Sequence, residues 1–179
     1  MEAAGEHGEH GETRRDFIHI AAGAAAIGGA AALAWPFIST MNPAADTLAQ
    51  GTIDVDLTKV APGQQITLKW RGKPLFVRHR TPQEIARARA DDKAGLKDPE
   101  PDSARVVAGN EQWLILIGSC THLGCVPTFG TGDYGGWFCP CHGSHYDLSG
   151  RIRKGPAPLN LEVPPVQFLS PTSARVGQA

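Results

Sequence analysis

The sequence predicts an all-β domain, a small antiparallel assembly with an inserted short helix and loops, preceded by one N-terminal transmembrane helix. Three observations support this: alternating apolar and polar stretches after Thr52, an uncharged apolar stretch from Ile20 to Ile38, and a helix-start signal at Thr81. With 179 residues, 41% of them hydrophobic, the chain fits one modest domain and one appended segment. The formal net charge of −1 gives no basic excess, so we expect no nucleic-acid partner.

The N-terminal region divides into a tail and an anchor. Residues 1–16 are polar and glycine-rich without an apolar period, which predicts a disordered cytoplasmic tail. Residues 17–38 predict the transmembrane anchor, since one helix rising about 1.5 Å per residue would cross a bilayer core of roughly 30 Å. A cleaved signal peptide is the alternative, although its apolar core is usually only about 7 to 15 residues long. The flank "TRRDFI", Thr13 to Ile18, resembles a twin-arginine export signal.

The remaining chain predicts a linker followed by the β domain. Residues 39–51 are small and irregular, which is typical of a flexible hinge linker, and the domain occupies residues 52–179. Strands are predicted in "TIDVDLTKV", on both sides of "RGKP", in the buried run "EQWLILIGS", and in "NLEVPPVQFLS" and "ARVGQA". Thr81, Pro82 and Glu84 supply an N-cap, a first-turn proline and a capping-box acid for the short helix. A surface excursion follows it.

Two short stretches, "CTHLGC" and "CPCHGSHYD", contain all 4 cysteines of the chain. Each stretch offers one sulfur and one imidazole in a candidate ligand set of Cys120, His122, Cys139 and His142. A tetrahedral zinc ion would accept two cysteines and two histidines, and so would a 2Fe-2S cluster. Cys125 and Cys141 remain, one in each stretch, and four cysteines allow about three disulfide connectivities. These residues alone leave both the metal and the pairing open.

The same stretches resemble the two cluster-binding boxes of the Rieske iron-sulfur protein of respiratory ubiquinol:cytochrome c oxidoreductase, and "GPAPLNLEVP" extends the similarity. The resemblance implies a Rieske domain with cluster-binding loops at about residues 118–158 and one 2Fe-2S cluster. It implies that Cys120 and Cys139 bind one iron and that His122 and His142 bind the other. It also implies a disulfide between Cys125 and Cys141.

The resemblance assigns further roles around the cluster. Ser144 and Tyr146 match positions whose hydroxyls reach a bridging sulfide and the Cys139 sulfur, respectively. Leu123 and Gly124 would form the quinol-docking tip. The stretch Gly155, Pro156, Ala157 and Pro158 resembles the loop that covers the cluster. We expect His145 not to be a ligand.

The implied function is proton-coupled electron transfer from ubiquinol to cytochrome c1. Two neutral imidazoles in place of two thiolates make the cluster less negative and raise its reduction potential. His142 would accept the hydrogen bond and the proton of ubiquinol. The implied partners are cytochrome b, cytochrome c1 and the membrane, within a dimeric complex. The expected location is the bacterial cytoplasmic membrane, spanned once, with the N-terminus cytoplasmic and the cluster domain periplasmic.

Three other functions are alternatives to quinol oxidation. A Rieske subunit of another exported oxidase, such as arsenite oxidase, would share the export signal and the cluster boxes. A zinc-binding structural module would use the same donors without redox chemistry. The stretch "CPC" is also compatible with a thiol-disulfide oxidoreductase. Such an enzyme would need an accessible thiol of low pKa.

Overall fold

The computed structural model describes residues 13–42 and 51–177. The chain divides into two compact units, Met1–Ala45 and Asp46–Ala179. The predicted tail lies outside the described residues up to position 12, and so do positions 43–50 of the predicted linker.

The N-terminal unit contains helix α1, Arg14–Ser39, which is 26 residues long. It begins earlier than the predicted anchor because Thr13 and Asp16 form a capping box, in which each side chain bonds the other's backbone N–H. Pro36 lies in the last turn, and every side chain of the helix is solvent-exposed or nearly so within the described residues. The helix is long and apolar enough to cross a membrane.

The second unit is the β domain, in which a single α-helix, α2 (Pro82–Ala90), lies among ten strands within residues 51–177. The strands are β1 Ile53–Asp56, β2 Gln65–Trp70, β3 Lys73–His79, β4 Trp113–Ile117, β5 Thr128–Phe129, β6 Gly135–Cys139, β7 Ser144–Asp147, β8 Ile152–Lys154, β9 Val166–Ser170 and β10 Ser173–Val176. All of the pairings are antiparallel. The predicted all-β class with a short inserted helix is therefore confirmed.

The strands form three sheets with the orders β1-β10-β9, β2-β3-β4 and β5-β6-β7-β8. Strand β4 is buried along its whole length because its two faces meet different cores. Trp113, Ile115 and Ile117 pack with residues of the first sheet, whereas Leu114 and Leu116 pack with residues of the third. The middle sheet therefore separates a base core from the core that carries the cysteine loops.

Two parts of the domain differ from the sequence prediction. The third sheet occupies the region that the sequence predicts as loops, because strands of only two to five residues show no clear alternation along the sequence. The C-terminal strand β9 begins at Val166 and not at Asn160, since Pro164 and Pro165 have no N–H to donate to a ladder. Helix α2 begins after Thr81 with the predicted capping box to Glu84.

The excursion after α2, residues 91–112, is held to the third sheet and to the end of β3 by buried ion pairs. Arg151 bonds Asp147 at 2.8 Å and also pairs with Asp92 of the excursion. Arg80, at the end of β3, bonds Asp102 at 2.6 Å, and both side chains are completely buried. Buried charges are stable only when paired and hydrogen-bonded, so these contacts fix the path of the excursion.

Candidate metal centre

The first cysteine loop leaves the end of the buried strand β4. Its turn closes through a hydrogen bond from Gly124 N to Cys120 O of 2.8 Å, and Cys120 N donates to Cys125 O at 2.7 Å. Gly124 has a φ of 81°, a left-handed conformation in which a side chain would be strained. The loop thus presents Cys120 inward and His122 nearer to the surface.

The second loop joins β6 to β7 and repeats this backbone arrangement. Gly143 N donates to Cys139 O at 3.0 Å, and Gly143 has a φ of 73°. Cys139 and Ser144 are directly opposite each other in the β6–β7 ladder. Equivalent glycine turns therefore hold the two cysteines, and each precedes a histidine by two or three positions.

A disulfide between Cys125 and Cys141 joins the two loops. The sulfur of Cys139 lies close to it, so that the sulfur atoms of Cys125, Cys139 and Cys141 are all within 4.8 Å of one another. These three atoms are not a metal site, because a disulfide sulfur is not a thiolate ligand. The free thiols of the described residues are Cys120 and Cys139, which are 3% and 2% exposed.

The two free thiols are surrounded by hydroxyl groups. The Tyr146 hydroxyl lies 3.2 Å from the Cys120 sulfur and accepts a hydrogen bond from Thr121 N at 3.3 Å. The predicted contact of Tyr146 with Cys139 is therefore wrong, because the hydroxyl contacts the Cys120 sulfur instead. The ladder explains this difference: Ser144 faces Cys139, and Tyr146 lies two residues further along β7.

These contacts shift the pKa values of the groups in opposite directions. Burial opposes ionisation of Cys120, but hydrogen bonds from Tyr146, from the His122 N–H, from Cys139 and from Ser144 outweigh it and lower the pKa of this thiol. Burial raises the pKa of Cys139, and the neighbouring Cys120 raises it further. Burial and the bond to Cys120 raise the pKa of Tyr146, so its hydroxyl stays protonated and can donate to a thiolate.

The two imidazoles lie together and are more exposed than the thiols. The ring centres of His122 and His142 are 4.7 Å apart with the planes nearly perpendicular, and His142 is solvent-exposed. Nδ1 of His122 is buried and has no hydrogen-bond partner among the described residues. A buried nitrogen without a partner is costly unless it binds something. Its position beside a second imidazole, in a loop that also holds a buried free thiol, fits a metal ligand.

The other predicted residues lie around this group. Leu123 is 70% exposed at the tip of the first loop, next to Gly124. Gly155–Pro158, which we call the cover, packs on the second loop: Ala157 N donates to Ser144 Oγ at 3.1 Å. His145 is held elsewhere, because its Nδ1 accepts a hydrogen bond from Asp133 N at 3.1 Å. The prediction that His145 is not a ligand agrees with this contact but is not tested by it.

Some residues near the centre were not found from the sequence. Thr121 Oγ1 donates to Leu159 O at 2.6 Å and so links the first loop to the end of the cover. Lys97, in the excursion, donates to two carbonyls of the cover. Neither residue stands out by periodicity or by motif spacing, and the Lys97 contacts join positions about sixty residues apart.

The donor set fits an iron-sulfur cluster with mixed ligation. Two buried thiols and two adjacent imidazoles, supported by hydroxyl donors and closed by a disulfide, are typical of a Rieske centre. A structural zinc ion would accept the same four atoms, so the donors alone do not distinguish the two metals.

Comparison with known proteins distinguishes them. Residues 55–165 match the family model of the Rieske [2Fe-2S] domain, and residues 4–44 match that of the TAT signal of the ubiquinol-cytochrome c reductase Fe-S subunit. An iron-sulfur subunit of ubiquinol-cytochrome c reductase from Bradyrhizobium diazoefficiens is 60% identical over 167 residues, covering 92% of this chain and 94% of its own. That of Blastochloris viridis is 57% identical over 166 residues, covering 92% and 93%.

More distant relatives agree. The mitochondrial Rieske subunit of the cytochrome b-c1 complex from Saccharomyces cerevisiae is 52% identical over 160 residues, covering 89% of this chain and 74% of its own. A solved chain described as a hyperthermophilic respiratory Complex III is 28% identical, with a TM-score of 0.51, and the match covers 88% of this chain and 98% of that chain. The chain therefore belongs to the family of Rieske iron-sulfur subunits of ubiquinol-cytochrome c reductase, whose cofactor is a 2Fe-2S cluster.

Proposed function

We propose that this chain is the subunit of a respiratory oxidoreductase that takes electrons from ubiquinol and passes them to cytochrome c1. The observation that carries the proposal is that the two linked cysteine loops hold two buried free thiols, Cys120 and Cys139, and two more exposed imidazoles that contact each other. The burial of the thiols and the exposure of His142 support a cluster whose sulfur ligands lie inside the domain and whose histidine ligands face the quinol.

In this proposal Cys120 and Cys139 bind one iron, and His122 and His142 bind the other. The bound 2Fe-2S cluster supplies reversible uptake of a single electron. Neutral imidazoles leave the site less negative than four thiolates would, which favours that uptake. The protonated hydroxyl of Tyr146 donates to the Cys120 sulfur and stabilises the additional negative charge.

His142 is the proposed proton acceptor. It is the more exposed of the two imidazoles, so the ring nitrogen that does not bind iron can accept a hydrogen bond from a ubiquinol hydroxyl. The histidine then takes that proton and releases it to solvent after the domain leaves the quinol. Leu123, 70% exposed beside it, gives the docking tip an apolar surface.

Electron paramagnetic resonance (EPR) of the purified protein tests the cluster and its ligands. After mild reduction with ascorbate we expect a rhombic signal whose average g value lies below that of 2Fe-2S ferredoxins with four cysteines. His142→Ala should abolish the signal, whereas the matched control His145→Ala should keep it. A colourless wild-type protein that contains zinc, or a His142→Ala variant that keeps its iron and signal, would contradict the proposal.

We further propose that α1 anchors the chain in the cytoplasmic membrane, with its N-terminus in the cytoplasm and the β domain in the periplasm. Arg14 and Arg15 lie in the first turn of α1, and its last turn has no basic residue. Positive charges usually remain on the cytoplasmic side. Protease added to spheroplasts should degrade the β domain, and protection of the domain there would oppose this orientation.

The proposed partners are cytochrome b, cytochrome c1 and a second copy of the complex. Supporting this is the assignment of the bacterial relatives to ubiquinol-cytochrome c reductase. Co-purification of the chain with b-type and c-type haem is expected. Purification with an arsenite oxidase would favour the alternative exported oxidase.

The proposed role of the linker, residues 39–51, is to let the β domain visit the quinol and the haem partner in turn. Its support is compositional, since the stretch is short and rich in small residues. Proline replacements from Ala44 to Asp46 should slow turnover without altering the EPR signal. Unchanged turnover would count against a moving domain.

A further inference from the structure

The cover, Gly155–Pro158, has few hydrogen-bond donors of its own. Pro156 and Pro158 have no N–H, so only Gly155 and Ala157 can donate from the backbone. A segment of this composition cannot join a β ladder on both sides. Groups outside the cover must therefore hold it over the metal centre.

Lys97 supplies such a group from the outer side. Its Nζ donates to Gly155 O at 2.9 Å and to Ala157 O at 3.1 Å. These are the carbonyls of the two peptide bonds that precede Pro156 and Pro158. One ammonium group thus bridges both ends of the cover, which uses two of its three N–H donors.

The inner side of the cover rests on the second cysteine loop. Gly155 has a φ of 101°, and a Cβ atom on it would lie 2.4 Å from Gly143 O, so its backbone is in close contact with that loop. Ala157 is fully buried, and its N–H donates to Ser144 Oγ at 3.1 Å. Ala157 is therefore held between the Lys97 ammonium and the Ser144 hydroxyl.

The contact with Ala157 decides what Ser144 can do. A hydroxyl has one donor and two acceptor positions, and the Ala157 N–H occupies one acceptor position. The hydroxyl hydrogen stays available for the sulfur side, since Ser144 is directly opposite Cys139 in the β6–β7 ladder. A chain of contacts thus runs from Lys97 through Ala157 to Ser144, the residue opposite the buried Cys139.

Asp98, the residue after Lys97, strengthens this arrangement. The Asp98 carboxylate accepts from Asn160 N at 2.9 Å, and its carbonyl accepts from Asn160 Nδ2 at 3.1 Å. Lys97 and Asp98 therefore hold consecutive parts of residues 155–160. The charged excursion as a whole is itself anchored by the ion pair of Asp92 with the buried Arg151.

We propose that Lys97 is a positioning residue for the metal centre, which fixes the cover so that the Ser144 hydroxyl stays directed at the sulfur atoms and keeps the reduction potential high. The inference rests on the proposed function, because it takes the cluster to lie between the two loops. Nothing in the motif of the two cysteine boxes assigns a role to this lysine, which lies outside both.

The test compares Lys97→Met with Lys93→Met in the complete complex. Both variants remove one exposed positive charge from the same excursion, and Lys93 makes no side-chain hydrogen bond or ion pair among the described residues. Two properties are measured: hydrogen-deuterium exchange of the Ala157 amide, and the reduction potential from an EPR-monitored titration. Loss of a charged hydrogen-bond donor should accelerate exchange roughly fivefold in Lys97→Met relative to Lys93→Met.

We also expect Lys97→Met to have a lower potential than Lys93→Met, and Lys97→Arg to resemble the wild type because guanidinium can donate to both carbonyls. The inference would be overturned if Lys97→Met had the same Ala157 exchange rate or the same reduction potential as Lys93→Met. It would also be overturned if Lys97→Arg behaved like Lys97→Met. Absence of the Rieske signal from the wild type would instead overturn the proposed function, and the exchange comparison would still report on the cover.

Discussion

At the residue scale, the Tyr146 hydroxyl is the group whose effect on the centre is most direct. It is fully buried, lies 3.2 Å from the Cys120 sulfur, and has a raised pKa that keeps it protonated. A hydrogen bond to sulfur favours the reduced state because that state carries more negative charge. The energetic contribution of Tyr146 should therefore depend on the oxidation state.

We predict that Tyr146→Phe lowers the reduction potential by several tens of millivolts, with an unchanged EPR line shape. A one-electron potential changes by about 59 mV for each tenfold change in relative affinity, so the loss of about 1 kcal/mol of differential stabilisation has this size. The measurement is a redox titration of the ascorbate-reducible signal. Tyr134→Phe is the control, since Tyr134 packs on Arg153 and His145 and not on a free thiol. Equal potentials in the two variants would contradict the prediction.

At the element scale, buried ion pairs connect the excursion to the third sheet. Arg151 is completely buried and bonds Asp147, Asp92, and the carbonyls of Ala88 and Glu100. Arg151→Leu leaves the Asp147 carboxylate without its closest partner in a buried position. Removing one partner of a buried ion pair costs about 3 to 5 kcal/mol.

We accordingly expect Arg151→Leu to lower the free energy of unfolding by about 3 kcal/mol or more, measured by urea denaturation. The control is Arg175→Leu, which breaks the exposed pair with Asp54 and should cost less than about 1 kcal/mol. Similar losses of unfolding free energy in the two variants would show that burial does not determine how much the ion pairs stabilise the domain.

The two cysteine loops form an element of their own, closed by the disulfide between Cys125 and Cys141, which are 16 positions apart. Closing a loop of this length contributes about 3 kcal/mol in the chain-entropy model. The double variant Cys125→Ala/Cys141→Ala should therefore melt at a lower temperature and lose its visible absorbance sooner. Wild-type protein treated with dithiothreitol should resemble the double variant, and equal bleaching of all three samples would contradict the prediction.

The sequence predicted those elements whose signals are local. The capping box at Thr81 and the fully apolar strand β4 were located correctly because each depends on a few adjacent residues. The third sheet was not predicted, since strands of two to five residues have no measurable alternation. The family resemblance supplied the disulfide pairing, which spacing alone left open.

Contacts between distant parts of the chain could not be predicted. Arg80 and Asp102 look like surface charges in the sequence, yet both are completely buried as a pair. Lys97 reaches the cover only because the excursion folds back over the third sheet. The assignment of Tyr146 to Cys139 was wrong for the same reason, because a strand's neighbours across a sheet are not visible along the chain.

At the scale of the whole molecule, the chain separates into an apolar helical unit and a β domain with its own cores. We predict that residues 51–179 fold without α1 and keep the EPR signal, because both hydrophobic cores consist of residues beyond position 51. The truncated protein should remain in the supernatant after ultracentrifugation and should not restore quinol-dependent cytochrome c reduction. Loss of the signal on truncation would show that the anchor is needed to build the centre.

Strand β4 determines how the domain unfolds on heating. Alternate side chains of this one strand belong to the two cores, and its last residue is followed within three positions by Cys120. Neither core can melt while the other stays intact, because each would have to release the same backbone. Bleaching of the chromophore and the far-ultraviolet circular dichroism transition should therefore share one midpoint, so that colour alone reports whether the domain is folded.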